Sequence, residues 1–311
     1  MKRSLQSTLL LLVFGCLSVS FAAKFQPQPQ SLLEKRAGFQ TKLLEKETIP
    51  WPLEAPPAEI ASLVTFPTPI GEMEAYLTHP SENDRKQAAI VWLTGGLPGS
   101  VPGSWLWDEP DLENEQTASI YRESGIVVLY PSLRGRSANN PGYVESFFGE
   151  VDDVIATYDY LSQLKHIDPE RIYLGGHSTG GTLALLVAAS TDKFAGIISL
   201  GPTDDNYGQE NAPYQWKEKE QYLRAPIHHL TSIKSPTYII EGIDGNHHSL
   251  LALEAVNKNP LVRTITVRDS DHFQLIHPVN TIFAQAIRES KEGALDIDPI
   301  AIQLSVDRST K

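Results

Sequence analysis

From about residue 60 onward the chain alternates short apolar runs with amphipathic stretches. Ser62 to Phe66 and Glu72 to Thr78 read as two strands joined through Pro67, Pro69 and Gly71. Gln87 to Leu93 is an apolar strand that ends at Gly95-Gly96. A helix-like stretch over about Leu112 to Ser124 leads into a strand at Ile126 to Tyr130, and a longer amphipathic run covers Glu145 to Lys165. Arg171 to Leu174 is a short strand followed by an apolar helix to about Ser190, and Ala195 to Leu200 is another strand. Beyond residue 234 the pattern predicts a strand at Thr237 to Ile240, a helix at Ser249 to Asn257, a strand at Val262 to Val267 and a helix at Leu275 to Glu289.

Strands that are apolar throughout, separated by helices, imply an α/β domain over 61–291 whose mostly parallel central sheet is covered by helices on both faces. The first two strands have no helix between them, so they pair antiparallel at one edge. Residues 202–234, with Tyr207, Tyr214, Trp216 and Tyr222, exceed an ordinary connection and read as a small lid-like insert. Residues 24–60, punctuated by Pro27, Pro29, Pro50, Pro52, Pro56 and Pro57, read as an extended arm or linker. Residues 292–311 read as a polar tail, and no internal repeat is present.

The first 23 residues have the form of an export leader. Lys2 and Arg3 precede an apolar run from Leu9 to Phe14, and the small residues Ser18, Ser20, Ala22 and Ala23 close it. Cleavage after Ala22 or Ala23 places the mature chain in the periplasm or outside the cell. Val13-Phe14-Gly15-Cys16 is a poor lipid-attachment site because Phe14 is bulky, so no anchor at Cys16 is expected. Cys16 is also the one cysteine, so the mature chain is expected to have no disulfide and no thiolate metal site. No later segment is apolar enough to span a membrane. With 26 basic and 38 acidic residues the net charge is −12, and loss of Lys2 and Arg3 takes it to −14. Such a surface repels phosphate backbones, which excludes nucleic acid as a natural partner.

The chemistry is concentrated at Gly176-His177-Ser178-Thr179-Gly180, a G-x-S-x-G pattern between a predicted strand and a predicted apolar helix. That context is what a nucleophile elbow needs. The serine stands on a tight turn at the C-terminal edge of the sheet, and the glycines let neighbouring backbone approach. A serine hydroxyl needs a positioned base, and His272, just past the strand ending at Val267, is placed to supply it. An acid should hold the imidazole in its working tautomer. Asp244, shortly after the strand at Thr237 to Ile240, is the first choice, with Glu241, Asp204 and Asp205 as alternatives. Oxyanion donors are expected from the backbone N–H of Thr179 and from Gly96, in the loop after the Gln87–Leu93 strand. Trp105, Trp107 and His177 are candidate walls of a substrate pocket. His228-His229 and His247-His248 are adjacent pairs that do not share a helix face, so no metal and no cofactor is expected.

The span from about Tyr130 to Phe273 resembles the catalytic domain of the prolyl oligopeptidase family and, more distantly, dienelactone hydrolase-like proteins. The residues that carry the likeness are Pro131 with Arg134-Gly135, Phe148-Gly149-Glu150, Asp168 to Ile172, Gly176 to Gly181, Ser235-Pro236-Thr237 with Gly242 and Asp244, and Asp271-His272-Phe273. The resemblance implies an α/β-hydrolase fold and a seryl acyl-enzyme with Ser178, His272 and Asp244 as triad. Full prolyl oligopeptidases carry a propeller of several hundred residues for which these 311 residues leave no room. The expected substrates are therefore a short peptide, as for a peptidase, or a small acyl ester, as for a carboxylesterase. A binding protein on a hydrolase scaffold is the alternative of another class.

Overall fold

The computed structural model describes residues 29–81, 85–96, 103–205, 212–290 and 293–309. The expected leader, with Cys16, lies outside them. A short helix α1 (Leu32–Arg36) precedes strands β1 (Ala61–Thr68), β2 (Gly71–Thr78) and β3 (Gln87–Leu93). Helix α2 (Ser119–Glu123), β4 (Val127–Pro131), α3 (Glu150–Ser162), β5 (Ile167–His177), α4 (Thr179–Ser190) and β6 (Ile197–Leu200) follow. The chain continues through α5 (Glu218–Arg224), β7 (Thr237–Gly242), α6 (His247–Val256), β8 (Val262–Val267), α7 (Ile276–Glu289) and α8 (Pro299–Ser309).

The eight strands form one sheet in the order β1-β2-β4-β3-β5-β6-β7-β8. β2 runs antiparallel to both β1 and β4, and every other pairing is parallel. This is the α/β-hydrolase architecture. The period of two in β3 shows how the layers separate. Ala89, Val91 and Leu93 enter one core with α3 and α4, whereas Ala88, Ile90 and Trp92 enter the other with α2 and α7. α4 is apolar all round because it is buried nearly all round.

Two segments differ from the sequence-based reading, and a third, whose placement the sequence left open, gains a defined position. The stretch from Leu112 is helical only over α2, and residues before it form turns. The C-terminal segment is a helix, α8, whose Ile302 and Val306 are buried beside α7. A stripe of two or three apolar residues in a polar segment is too narrow a signal until a neighbouring face is known.

The third is the arm, which is docked. Leu32 is buried, Arg36 pairs with Asp152 at 2.9 Å, Glu47 pairs with Arg136 at 2.9 Å, and Leu43 bridges Tyr214. The described part of 202–234 packs under that arm. Its Arg224 is fully buried, bonded to Glu220, Thr41 and the carbonyls of Glu145 and Ser146, with its guanidinium 3.9 Å from the ring centre of Tyr214. Among the described residues the insert braces the arm rather than roofing the cleft. No helix among them is long and apolar enough to cross a membrane.

Candidate active site

β5 delivers the chain to Ser178 and α4 leaves from it. Ser178 sits at φ 55, ψ −118, a conformation sparsely populated by side-chain-bearing residues. Its N–H is held by the Leu200 carbonyl at 2.7 Å. The glycines of the motif are required by contact distances. A Cβ at Gly180 would stand 2.1 Å from the Leu93 carbonyl oxygen, and one at Gly176 would stand 2.6 Å from the Gly180 carbonyl. Strand β3 therefore passes against the turn and sets it, which is how local sequence places the serine at the sheet edge beside the cleft.

His272 lies in the loop after β8, and its ring stands 4.4 Å from that of His177, the residue before Ser178. Its acidic partner is Glu241 and not Asp244. Glu241 Oε2 accepts from His272 Nδ1 at 2.9 Å, and the carboxylate is buried at 1% exposure. Asp244 is exposed, and among the described residues its backbone N–H bonds the Ser270 carbonyl at 3.2 Å while no bond of its carboxylate is found. Asp204 Oδ1 instead accepts from Ser249 Oγ at 2.7 Å. The physical reason is the length of β7, which continues through Gly242, so Glu241 still points into the site while the chain has turned to solvent by Asp244. Backbone amides of Gly242 (2.7 Å) and Asn246 (3.0 Å) donate to the Glu241 carboxylate. Glycines pack tightly around the pair. A Cβ at Gly201 would meet His272 Cε1 at 2.5 Å, and one at Gly245 would meet Glu241 Oε1 at 2.5 Å.

A second polar chain, missed in the sequence, ties the loop after β3 to the loop bearing His272. His177 is fully buried, and its Nε2 lies 2.8 Å from the backbone carbonyl of His272. A carbonyl only accepts, so Nε2 carries the proton and Nδ1 is an acceptor. Gln116 Nε2 donates to that Nδ1 at 2.9 Å, and Gln116 Oε1 accepts from the Gly95 amide at 3.2 Å. Burial, with the neighbouring His272 ring as a lesser cause, holds His177 down to about 3, so it stays neutral. Gln116 and His177 lie 61 residues apart, a separation that no motif spans.

Gly96 is fastened to the start of α4 by Thr179 Oγ1, which donates to its carbonyl. With the Gly95 amide bound to Gln116, Gly96 and Thr179 are the expected oxyanion residues that flank Ser178. An open cleft of about 600 Å³ adjoins Ser178, lined by Gly95, Gly96, Trp105, His177 and Phe273 among others. Trp107 is not in it. Its ring packs edge-on against Tyr76 at 5.4 Å and Tyr130 at 6.0 Å, which makes it part of the core. Arg134 is also structural, forked onto Asp153 at 2.8 Å and paired with Glu145 at 2.9 Å. Among the described residues no group of three or more His, Cys, Asp or Glu is arranged to hold a metal.

Comparison with known proteins agrees with the fold. The model of the prolyl oligopeptidase family matches residues 113–274, just over half of the chain. The 2,6-dihydropseudooxynicotine hydrolase of Paenarthrobacter nicotinovorans is 27% identical over 232 residues, which is 68% of this chain and 57% of that protein. The acylaminoacyl peptidase of Pyrococcus horikoshii superposes with a TM-score of 0.59 at 16% identity, over 78% of this chain and 43% of the peptidase. An esterase of Pyrococcus furiosus superposes with a TM-score of 0.56 at 16% identity, over 78% of this chain and 97% of the esterase. The chain thus spans little more than half the length of the curated relative and less than half of the peptidase.

Proposed function

The chain belongs to the prolyl oligopeptidase family, and from that premise we propose that it is a hydrolase that cleaves a small ester or amide through a seryl acyl-enzyme on Ser178. The observations that support the reading are the strained Ser178 turn facing an open cleft and an imidazole, His272, whose ring lies 4.4 Å from that of the adjoining His177 and whose Nδ1 is bonded to a buried carboxylate. His272 donates its Nδ1 proton to Glu241, which leaves Nε2 as the acceptor for the Ser178 proton. Ser178 Oγ bonds to the scissile carbonyl carbon, and the oxyanion receives the N–H groups of Thr179 and Gly96. His272 then passes its proton to the departing alkoxide or amine as the carbonyl–heteroatom bond breaks. Water, deprotonated by the same imidazole, attacks the acyl-serine, and the acid leaves with Ser178 restored. Glu241 keeps its charge throughout and faces the imidazolium.

The open cleft of about 600 Å³ directly beside Ser178 supports a small substrate. Peptidase-like cleavage of short aminoacyl amides is the second form of the same chemistry. A fluorophosphonate probe tests the core claim. It labels the folded protein, and labelling and ester turnover both disappear in Ser178→Ala. Folded wild type that neither reacts nor turns over any acyl ester or aminoacyl amide overturns it and leaves a binding role.

A further inference from the structure

The peptide between Gly95 and Gly96 carries the Gly96 N–H, one of the two donors expected to meet the oxyanion. Neither glycine has a side chain to hold that N–H in place, and Gly96 sits at φ 115, a conformation open to glycine and strained for other residues. Such a pair aims a donor only when its backbone is pinned from outside, because an oxyanion hole works by being arranged before the charge forms. Two pins are present, one on each side of the peptide. Thr179 Oγ1 donates to the Gly96 carbonyl. The Gly95 N–H donates to Gln116 Oε1 at 3.2 Å.

The first pin comes from the nucleophile turn, the second from the turn before α2. Gln116 is half-buried there, and both polar atoms of its side chain are committed. Nε2 donates to His177 Nδ1 at 2.9 Å and to Asn114 Oδ1 at 3.0 Å, while Oε1 takes the Gly95 N–H. Turning the amide over would set its oxygen against the lone pair of Nδ1 and its nitrogen against the Gly95 N–H, so the bonds permit one orientation. The Gln116 carbonyl accepts from Trp92 Nε1 at 2.9 Å, which ties the residue to the buried end of β3. Space converges on the same point. A Cβ at Gly95 would stand 2.9 Å from His177 Nδ1, 3.2 Å from Gln116 Oε1 and 3.2 Å from Ser178 Cβ.

We propose that Gln116 is a positioning residue of the hydrolytic site, whose single amide aims the Gly96 N–H at the oxyanion and, through His177, keeps that loop in register with the loop bearing His272. The inference rests on the reading of Ser178 as nucleophile and of Gly96 as an oxyanion donor. Gln116 acts through the backbone of Gly95 and the ring of His177, so its loss weakens the transition state more than the bound substrate.

Two variants test this on p-nitrophenyl butyrate, with burst titration to express rates per competent site. Gln116→Met keeps the length of the side chain and removes its hydrogen bonds. Its kcat/KM falls by about a hundredfold, the cost of a misplaced oxyanion donor. Affinity for an alkyl trifluoromethyl ketone, whose adduct with Ser178 carries the oxyanion, falls by a similar factor. Gln116→Glu supplies a readout that a merely structural brace would not move. A carboxyl that shares a proton with His177 Nδ1 still bonds it and still accepts the Gly95 N–H, whereas a carboxylate facing the bare Nδ1 lone pair does not. The ratio of kcat/KM in Gln116→Glu to that in wild type is therefore near one at acid pH and falls as pH rises. Ionisations of His272, Glu115 and the carboxylates at the rim of the cleft are common to both proteins and cancel in that ratio. Wild-type kcat/KM per competent site in Gln116→Met overturns the proposal, as does a ratio for Gln116→Glu that is flat with pH. Should Gln116→Met fail to fold, Gln116→Glu decides alone. Wild type that turns over no acyl ester or aminoacyl amide overturns the acyl-enzyme reading and this inference together, whereas a fully active Gln116→Met overturns this inference alone.

Discussion

Glu241→Gln removes a charge and keeps a shape, and the surrounding hydrogen bonds leave glutamine no good orientation. Oε1 accepts from the Gly242 amide at 2.7 Å, and Oε2 accepts from the Asn246 amide at 3.0 Å and from His272 Nδ1 at 2.9 Å. A carboxamide has one acceptor oxygen, so its amino group must face either one backbone N–H or a backbone N–H and the imidazole together. The second orientation drives His272 to the tautomer that carries its proton on Nε2 and cannot take one from Ser178. In both orientations the imidazolium formed during acylation faces no charge. At the 2.9 Å separation and an effective dielectric of about 20, the missing attraction is worth about 6 kcal/mol. That corresponds to a loss of roughly ten-thousandfold in rate, similar to the effect of neutralising the carboxylate in other serine triads. The assay is kcat/KM on a p-nitrophenyl acyl ester, with burst titration to count competent sites and a thermal melt to confirm folding. Asp244→Asn, whose side chain is exposed, stays within about threefold, as surface changes away from the chemistry do. A large loss in Asp244→Asn beside a mild one in Glu241→Gln would refute the assignment.

Three more outcomes are expected. Gly201→Ala places a Cβ 2.5 Å from His272 Cε1 at a residue with φ 58. It loses about a hundredfold or more in turnover by displacing the ring, while the melting temperature falls by only several degrees for a left-handed strain of about 1–2 kcal/mol. Arg224→Met leaves buried Glu220 without its 2.5 Å partner and lowers unfolding free energy in urea by about 3–5 kcal/mol. Adding Glu220→Leu recovers most of it, and a single variant as stable as wild type sinks the account. The third concerns acid stability. The buried ring of His177 takes up no proton until about 3, whereas the unfolded chain does so near 6.5. Stability is therefore lost as pH falls through the window between those values, by up to about 1.4 kcal/mol per pH unit. Urea titrations across that window show a shallower loss in His177→Gln. His229, held to about 4, works in the same sense, and Glu115 and Glu150, both pushed up to about 7, work in the opposite one. All three are common to both proteins and cancel in the difference, so parallel curves would exclude His177 as the source.

Much of the architecture is written in short-range pattern. A run such as Ala88 to Leu93 is apolar at every position because both faces of β3 are covered, and that is legible without neighbours. The Ser178 turn is local as well, since strand, glycines and helix follow one another within about twenty residues, and so is the place of His272 after β8. The carboxylate facing His272 was not legible. Glu241 and Asp244 differ by three positions, and the choice turns on whether β7 ends before or after Glu241, which pairing with β8 through Gly242 decides. The docked arm and α8 escaped for a related reason. Their few apolar residues gain stability only against surfaces contributed by distant segments, and arm contacts such as Arg36 to Asp152 cross 116 residues.

Periodicity and turn chemistry act over a few residues, so the sequence alone determines which segments become strands, helices and the nucleophile turn. Hydrogen bonds such as Glu241 to His272, Gln116 to His177 and Thr179 to Gly96 join loops from different strand ends. Their partners are set by register, strand length and packing across the sheet, and those quantities exist only once the chain has folded.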